Sequence, residues 1–371
     1  MGHRTDRSPS VLQVGPLYNN HLRRWSEHAV SLGYSVCAAG HVSPGRRPLD
    51  LAGIVDRVQV APRSLYGVTA PRKIAWLKDV IPTFEPDLIH AHWLPNWGYC
   101  AVVAADRPVV VTAWGSDVYR STGADRRRAN FAMREADCVL SRSEHMTREM
   151  LARGVPSARI HQVDLGVDLH DFRAASDQQR AHVRNELGLP AGPIVLSMRA
   201  GVEPYRLDVL LEAFRIVRAR VPDATLVLLR GDAPPAPAVR ALLDRLGRAD
   251  GVWDLGHITH PDVPKYVTAA DVAVSVPTSD GSPSSVWEAL AGGLPAVLSD
   301  LPQIAEKVDR SGAVKLVSPC QEQIACALIE LVEDIPRRRR MAHAARAWAQ
   351  ANFDQRRQIA HLGAAYEATV R

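Results

Sequence analysis

The feature that most constrains the fold is an alternation that runs along the chain twice. From residue 11, short runs rich in β-branched residues alternate with stretches of helical periodicity: VLQVG, a helix to about Leu32, YSVCAAG, and later DLIHAH, PVVVTAW, DCVLSRS and IHQVD. Strands apolar on both faces and separated by helices imply a parallel sheet covered on both sides. A polar interval, RAASDQQRAHVRNELGLPAG (173–192), is expected to hold one helix and a turn at Pro190 and Gly192. The pattern then resumes as PIVLSMR, the helix DVLLEAFRIVRARV, ATLVLLRG, a helix over 237–247, VWDLG, a helix over 262–270, DVAVSVP, a helix from about Ser285, and PAVLSD. Two doubly wound α/β domains are expected, 1–176 and 177–355, which suits a chain of 371 residues. Three further helical stretches follow PAVLSD, the last of them QRRQIAHLGAAYEATV.

Composition narrows the function classes. With 46% hydrophobic and 23% charged residues the chain is an ordinary globular mixture. Its 45 Lys and Arg exceed its 40 Asp and Glu modestly, and the excess is spread along the sequence. That favours anionic ligands slightly and argues against a nucleic-acid partner. The cysteines, Cys37, Cys100, Cys138, Cys320 and Cys326, are odd in number and scattered, so neither a disulfide framework nor a zinc site is expected, and a cytoplasmic location fits best. The stretch MGHRTDRSPS lacks a signal-peptide core and is expected to be a loose polar tail. Residues 88–105 carry no Asp, Glu, Lys or Arg, but His90, His92, Pro95, Asn96 and Gly98 interrupt them, so they do not read as a membrane span. The pair His90 and His92 has no carboxylate nearby to complete a metal site. The run Arg337 to Arg340 is expected to be a solvated helix face.

Open α/β sheets bind ligands beyond the carboxyl ends of their strands, at helix N-termini whose unpaired N–H groups attract phosphate. The stretch SDGSPSSVWEALAGGLP follows the strand DVAVSVP and fits that description. Gly281 and the small Ser282, Ser284 and Ser285 let backbone approach a ligand, and the helix starting near Ser285, with Val286, points amides at a diphosphate. Glu288, expected on the first turn, repels a phosphate and suits a pair of ribose hydroxyls; Asp280 suits another polyol. The same residues also fit plain roles: Glu288 answering the helix dipole and Asp280 serving the turn.

A family resemblance adds to this reading. DGSPSSVWEALAGGLPAVLSD resembles the signature of retaining GT-B glycosyltransferases of family GT4, the glycosyltransferase group 1 family: a carboxylate, seven residues, then a glutamate. Asp280 stands where the family usually has its first Glu. LARGVPSARIHQVDLGVDLHDF and DVLLEAFRIVRARVPDATLVLLRGD resemble two further segments in the same order, and the similarity covers about 86–350. The resemblance implies a GT-B fold, two Rossmann-like domains facing a central cleft, with the C-terminal helix 356–371 crossing back to the first. It also implies a hexosyltransferase-like enzyme (EC 2.4) moving a sugar from a nucleoside diphosphate donor to a hydroxyl or amine of a small-molecule or glycan acceptor, with retention and without a metal or other cofactor. High Arg and Ala content fits a high-GC bacterial source, where such enzymes serve secondary-metabolite or glycan biosynthesis.

By the same resemblance, Glu288 holds the donor ribose and Asp280 the transferred sugar. Arg199 and Arg206, in SMRAGVEPYRLD, take the places of an Arg and a Lys on the donor diphosphate, where they neutralise the charge that builds on the leaving group. Gly15 stands at the family's phosphate-approaching turn, although Pro16 behind it has no N–H to offer. His257 and Ile258 pass the nucleobase through backbone. Asn19 and Asn20 suit an acceptor or a helix cap. Apart from the resemblance, one of His90 and His92 is expected near the acceptor, His92 being the choice, and the other as a buried core histidine; TAWGSDVY resembles the family's T-x-H-G-x-D element, with Trp114 in place of His and Asp117 matching. Trp114 suits stacking on a sugar ring, and Asp117 suits the acceptor or a turn cap.

Three rival readings stand beside this one. A Rossmann oxidoreductase lacks its G-x-G-x-x-G after the first strand, where only Gly15 stands. A catalytically silent sugar-nucleotide-binding protein is motivated by the departures at Asp280 and Trp114. A lipid-linked acceptor at a membrane is motivated by Arg126, Arg127 and Arg128; membrane association is otherwise not expected.

Overall fold

The computed structural model describes residues 7–65, 67, 70–231, 233–308 and 310–370. Residues 1–6 of the expected polar tail lie outside them. The chain divides into two compact units, one comprising 1–165 with 356–371 and the other 166–355.

The first unit holds a seven-stranded sheet: β1 (Ser10–Pro16), β2 (Ser35–His41), β3 (Arg57–Val60), β4 (Leu88–His92), β5 (Val109–Thr112), β6 (Cys138–Ser141) and β7 (Ile160–Gln162). Every pairing is parallel, in the order β3-β2-β1-β4-β5-β6-β7. The two faces are covered by different cores, as successive residues of one strand show. Leu12, Ile89 and Val111 pack with Leu77, Trp97 and Met133, while Val11, Leu88 and Val110 pack with Trp25, Ala29 and Leu362. The C-terminal helix Gln355–Val370 completes the second face by burying Leu362, Ala365 and Tyr366.

The second unit holds a six-stranded sheet: β8 (Ile194–Ser197), β9 (Thr225–Leu228), β10 (Val252–Asp254), β11 (Val272–Ser275), β12 (Ala296–Ser299) and β13 (Val314–Val317). It is again all parallel, in the order β10-β9-β8-β11-β12-β13. Both sheets therefore have a topological switch point, between β1 and β4 in one and between β8 and β11 in the other. At a switch point the connections leave in opposite directions and open a crevice at the strands' carboxyl ends.

The segment 166–176, placed with the first domain by sequence, belongs to the second unit. Val167 bridges to Asp354, its N–H donates to the Phe353 carbonyl (2.7 Å), and Phe172 is 2% exposed within the second unit's core. Arg346 adds hydrogen bonds to the carbonyls of Phe172 and Leu169. The five cysteines are all free. No helix among the described residues is long and apolar enough to cross a membrane.

Candidate functional site

At the second unit's switch point, β8 delivers Arg199 and β11 delivers the turn from Ser279 to Pro283. The Arg199 guanidinium forms an ion pair with Asp280 through Nη2, lies 3.5 Å through Nη1 from Ser285 Oγ, and stacks 4.1 Å above the Tyr205 ring. Both members of the pair are 11% exposed. Arg199 Nε is buried without a hydrogen-bond partner. A buried donor with nothing to bond is costly, so this N–H marks a place for an acceptor atom. The Asp280 carbonyl in turn accepts from the Gln303 amide, which fixes the turn.

The helix Ser284–Ala291 starts one residue earlier than expected, which puts Glu288 beyond the first turn. Glu288 is 4% exposed and lies 3.3 Å from His260 Nε2. A carboxylate this buried is too well enclosed to serve as a solvated answer to the helix dipole; its oxygens suit hydroxyl donors held at short range. His260, which sequence reasoning missed, opens the short helical turn His260–Asp262 just after β10, beside the expected His257 and Ile258. Its signal was the strand-to-helix corner itself. His257 is exposed and Ile258 half-buried on the same connection.

Several expected donor contacts are placed otherwise. Arg206 has a left-handed backbone (φ 48°), precedes the helix Leu207–Arg220, and directs Nε to Asp208 at 3.3 Å. The residue lying against Arg199 is Tyr205, whereas Arg206 engages Asp208. Ser282 is 2% exposed, its hydroxyl accepting from Trp287 Nε1 (2.8 Å) and from Lys307 Nζ (2.9 Å). Val286 donates its N–H to the Pro283 carbonyl (2.9 Å) and buries its side chain. Gly281 is buried in the turn, while Ser284 and Ser285 remain half-buried at the helix start.

The first unit gathers a second set of residues beyond β1, β2, β4 and β5, around a cavity of about 560 Å³ to which Asn19 and Trp114 both contribute. Asn19 also caps its helix by accepting from His21 N–H (2.9 Å), while Asn20 is exposed. Asp117 is 1% exposed, and its carboxylate accepts from the N–H groups of Leu94 (3.1 Å), Trp114 (2.9 Å) and Gly115 (2.8 Å). Burial pushes its pKa up. Asp117 thus shapes the loops carrying Trp93 and Trp114, as the turn-cap alternative expects. His92 is fully buried with Nε2 2.7 Å from Gln13 Oε1, and burial lowers its pKa to about 3. It stands in the core below the cavity. His90 has both ring nitrogens engaged, with the Tyr366 hydroxyl (2.7 Å) and Thr112 Oγ1. Gly15 lies within β1, where an added Cβ would come 3.1 Å from Leu22 Cδ1 and 3.2 Å from His92 Cβ. Close packing explains the glycine.

Comparison with known proteins identifies the family and the fold. The family model described as "Glycosyl transferase 4-like domain" matches residues 18–166, and that described as "Glycosyl transferases group 1" matches 193–334. TuaC, a glycosyltransferase of Bacillus subtilis named for teichuronic acid biosynthesis, is 30% identical over 225 residues, 58% of this chain and 54% of the relative. The GDP-mannose-dependent α-(1-6)-phosphatidylinositol monomannoside mannosyltransferase of Mycolicibacterium smegmatis is 28% identical over 236 residues, 62% of this chain and 61% of the relative. These alignments span little more than half the length of the relatives. Among solved structures, sucrose-phosphate synthase from Thermosynechococcus elongatus superposes with a TM-score of 0.77 at 20% identity, covering 97% of this chain and 98% of that one. Anabaena HepE in complex with UDP and glucose superposes at 0.79 and 18% identity, covering 96% and 99%. With two doubly wound parallel-sheet units and matches to both domain models across most of its length, the chain belongs to the glycosyltransferase group 1 family, of GT-B fold.

Proposed function

We propose that the protein transfers a sugar from a nucleoside diphosphate sugar to a hydroxyl or amine of a small-molecule or glycan acceptor, with retention at the anomeric carbon and without a metal. The observation that carries this reading is the cluster at the β8/β11 switch point: Arg199 with its unpartnered Nε, Asp280, Ser285 and the buried Glu288 around one helix start. A diphosphate seated there takes hydrogen bonds from Arg199 and from the start of the helix Ser284–Ala291. Glu288 accepts from the two ribose hydroxyls, with His260 beside it. Asp280 accepts from a hydroxyl of the transferred sugar, which requires it to share Arg199 with the diphosphate.

As the glycosidic bond breaks, negative charge accumulates on the leaving phosphate. Arg199 stabilises that charge better than it stabilises the ground state, and this difference is what accelerates the reaction. Retention then follows from attack on the face the diphosphate leaves, with a phosphate oxygen taking the acceptor proton. No side chain is assigned as a covalent nucleophile. The UDP and glucose bound by HepE and the GDP-mannose dependence of the mycobacterial relative support a nucleotide-sugar donor. The Arg199–Asp280 pair favours one second reading, a protein that binds sugar nucleotides without turnover, because each group already holds an opposite charge.

Incubation with UDP-, GDP-, dTDP- and ADP-sugars and a set of acceptors separates the two. Mass spectrometry should find a product from one donor, and the anomeric coupling constant in its NMR spectrum should match the donor's configuration. Nucleotide binding without product across the set supports the second reading, and an inverted product refutes the mechanism.

A further inference from the structure

The cavity in the first unit has a chemistry that the family assignment does not supply. Arg46, Lys73 and Arg128 all line it, and none of its described lining residues is Asp or Glu. Its walls include the rings of Tyr18, Trp93, Trp97 and Trp114. Lys73 is 7% exposed as a residue, and lysines this enclosed are ordinarily paired with a carboxylate. Here Nζ bonds only to the neutral Asn96 Oδ1 (2.9 Å) and lies 5.5 Å from the Trp97 ring centroid, and no ion pair of Lys73 occurs among the described residues. His41 adds no opposing charge: its Nδ1 accepts from Trp97 Nε1 (2.9 Å), and burial, with Lys73 nearby, lowers its pKa to about 4.

The setting is built rather than incidental. Trp93 holds a left-handed backbone (φ 73°), which costs a bulky residue strain. It is kept there by Gly98 N–H donating to its carbonyl (3.0 Å) and by Asp117 accepting from the N–H of the next residue, Leu94 (3.1 Å). Arg128 separates from Arg126 and Arg127 in the same run: those two are exposed, whereas Arg128 is half-buried beside Tyr99, its Cζ 5.9 Å from the ring centroid, and lines the cavity while pairing at 3.4 Å with the exposed Asp125 outside it. The cavity sits at the β1/β4 switch point, where such folds receive a ligand.

We propose that this cavity selects an acceptor whose sugar or polyol ring carries an anionic substituent, a phosphate or a carboxylate, with Lys73, Arg46 and Arg128 holding the charge and the indole faces holding the ring. This rests on the transferase reading above, in which the first unit carries the acceptor. Cations over an apolar, low-dielectric floor attract an anion strongly, while flat aromatic surfaces suit the C–H faces of a ring. Lys73 is the residue that most requires such a ligand, because an anion there supplies the partner its burial demands.

The test is calorimetric titration of the full chain with glucose 6-phosphate, glucuronate, glucose and inorganic phosphate, with Lys73→Met and the rim variant Arg128→Gln alongside. One anionic sugar should bind at least about tenfold more tightly than glucose and than phosphate alone, as charge-assisted contacts require. The phosphate and carboxylate arms say which anion is meant. Lys73→Met should weaken it by about tenfold or more and Arg128→Gln by a few-fold, while the thermal shift produced by a nucleoside diphosphate stays unchanged in both. Glucose binding as tightly as both anionic sugars, phosphate alone matching them, no binding by any of the four, or indifference to both substitutions overturns the proposal. If Lys73→Met fails to fold, Arg128→Gln and the comparison of ligands decide. Failure of every nucleotide to bind, with anionic-sugar binding intact, instead refutes the donor reading and leaves the cavity's preference standing.

Discussion

Replacing Asp280 by Asn should make the protein less stable yet better at holding a nucleoside diphosphate. Asp280 and Arg199 are paired at 11% exposure each, and the Arg199 Nε has no partner even with the pair intact. Removing one member of a fully buried pair costs about 3–5 kcal/mol, because the remaining charge is left uncompensated. Residual exposure and the Tyr205 ring 4.1 Å away reduce that here, so about 2 kcal/mol is expected. For a unit of the size of 166–355 this corresponds to a fall in Tm of roughly 4–8 °C. A diphosphate then meets a guanidinium that no carboxylate holds, and a site without a like charge beside it. Its binding should tighten by up to about tenfold, equivalent to about 1.4 kcal/mol. Sugar transfer should fall by about two orders of magnitude, since the group that holds the transferred sugar is gone. Differential scanning fluorimetry with and without nucleotide, and calorimetric titration, read both effects. An Asp280→Asn protein as stable as the wild type that binds nucleoside diphosphate less tightly would refute the reasoning, because Asp280 could then not be the charge that competes for Arg199.

Two further outcomes concern the first unit. Tyr366→Phe removes the hydroxyl that lies 2.7 Å from His90 Nδ1 in the core beneath the C-terminal helix, leaving a buried ring nitrogen unsatisfied; a loss of about 1–3 kcal/mol is expected by urea unfolding, and an unchanged midpoint would show that the contact contributes nothing. Acidification should destabilise the same unit. Burial lowers His28 and His92 to about 3 and His41 to about 4, below the unfolded value of about 6.5, so the folded state binds fewer protons than the unfolded one. Their contribution is complete above about pH 6.5 and is lost as pH falls from there toward 3, by up to about 1.4 kcal/mol per pH unit for each histidine. Asp117, whose pKa burial raises, has the opposite sign and softens the loss at its acid end. Unfolding midpoints across pH 7.5 to 4.5 measure the slope, and a flat profile would contradict the buried, neutral histidines.

The sequence made the architecture legible wherever strands are apolar on both faces, as in PVVVTAW and DVAVSVP, since only a sheet covered on two sides accommodates them. It concealed β3 and β13 because edge strands need no such pattern: all four residues of RVQV are exposed, and VKLV buries only its last. The attachment of 166–176 to the second unit was not legible, because it depends on contacts of Phe172 and on Arg346, distant along the chain. At the candidate site, position after a strand pointed to Asp280 and Glu288 and the family resemblance to Arg199, and the fold brings the three to one switch point. Burial could not be read the same way, so Ser282, Asp117 and His92 looked like ligand contacts although their polar atoms serve the fold. The charge of Arg206 makes it look like the second cation, while the chain's turn brings Tyr205 against Arg199. The cationic cavity had no sequence signature, since Arg46, Lys73, Trp97 and Arg128 come from four separate segments that only the fold unites.

The most direct test of the account is a thermal-shift titration of UDP, GDP, dTDP and ADP against the wild type, Arg199→Met and Glu288→Gln. A ligand that binds only the folded state raises Tm, with a stabilisation that grows as the logarithm of its concentration above Kd. One nucleotide should raise the wild-type midpoint clearly, and both variants should lose most of that rise while remaining folded. A midpoint that no nucleotide moves, or a rise that survives in both variants, would contradict the placement of the donor at Arg199 and Glu288.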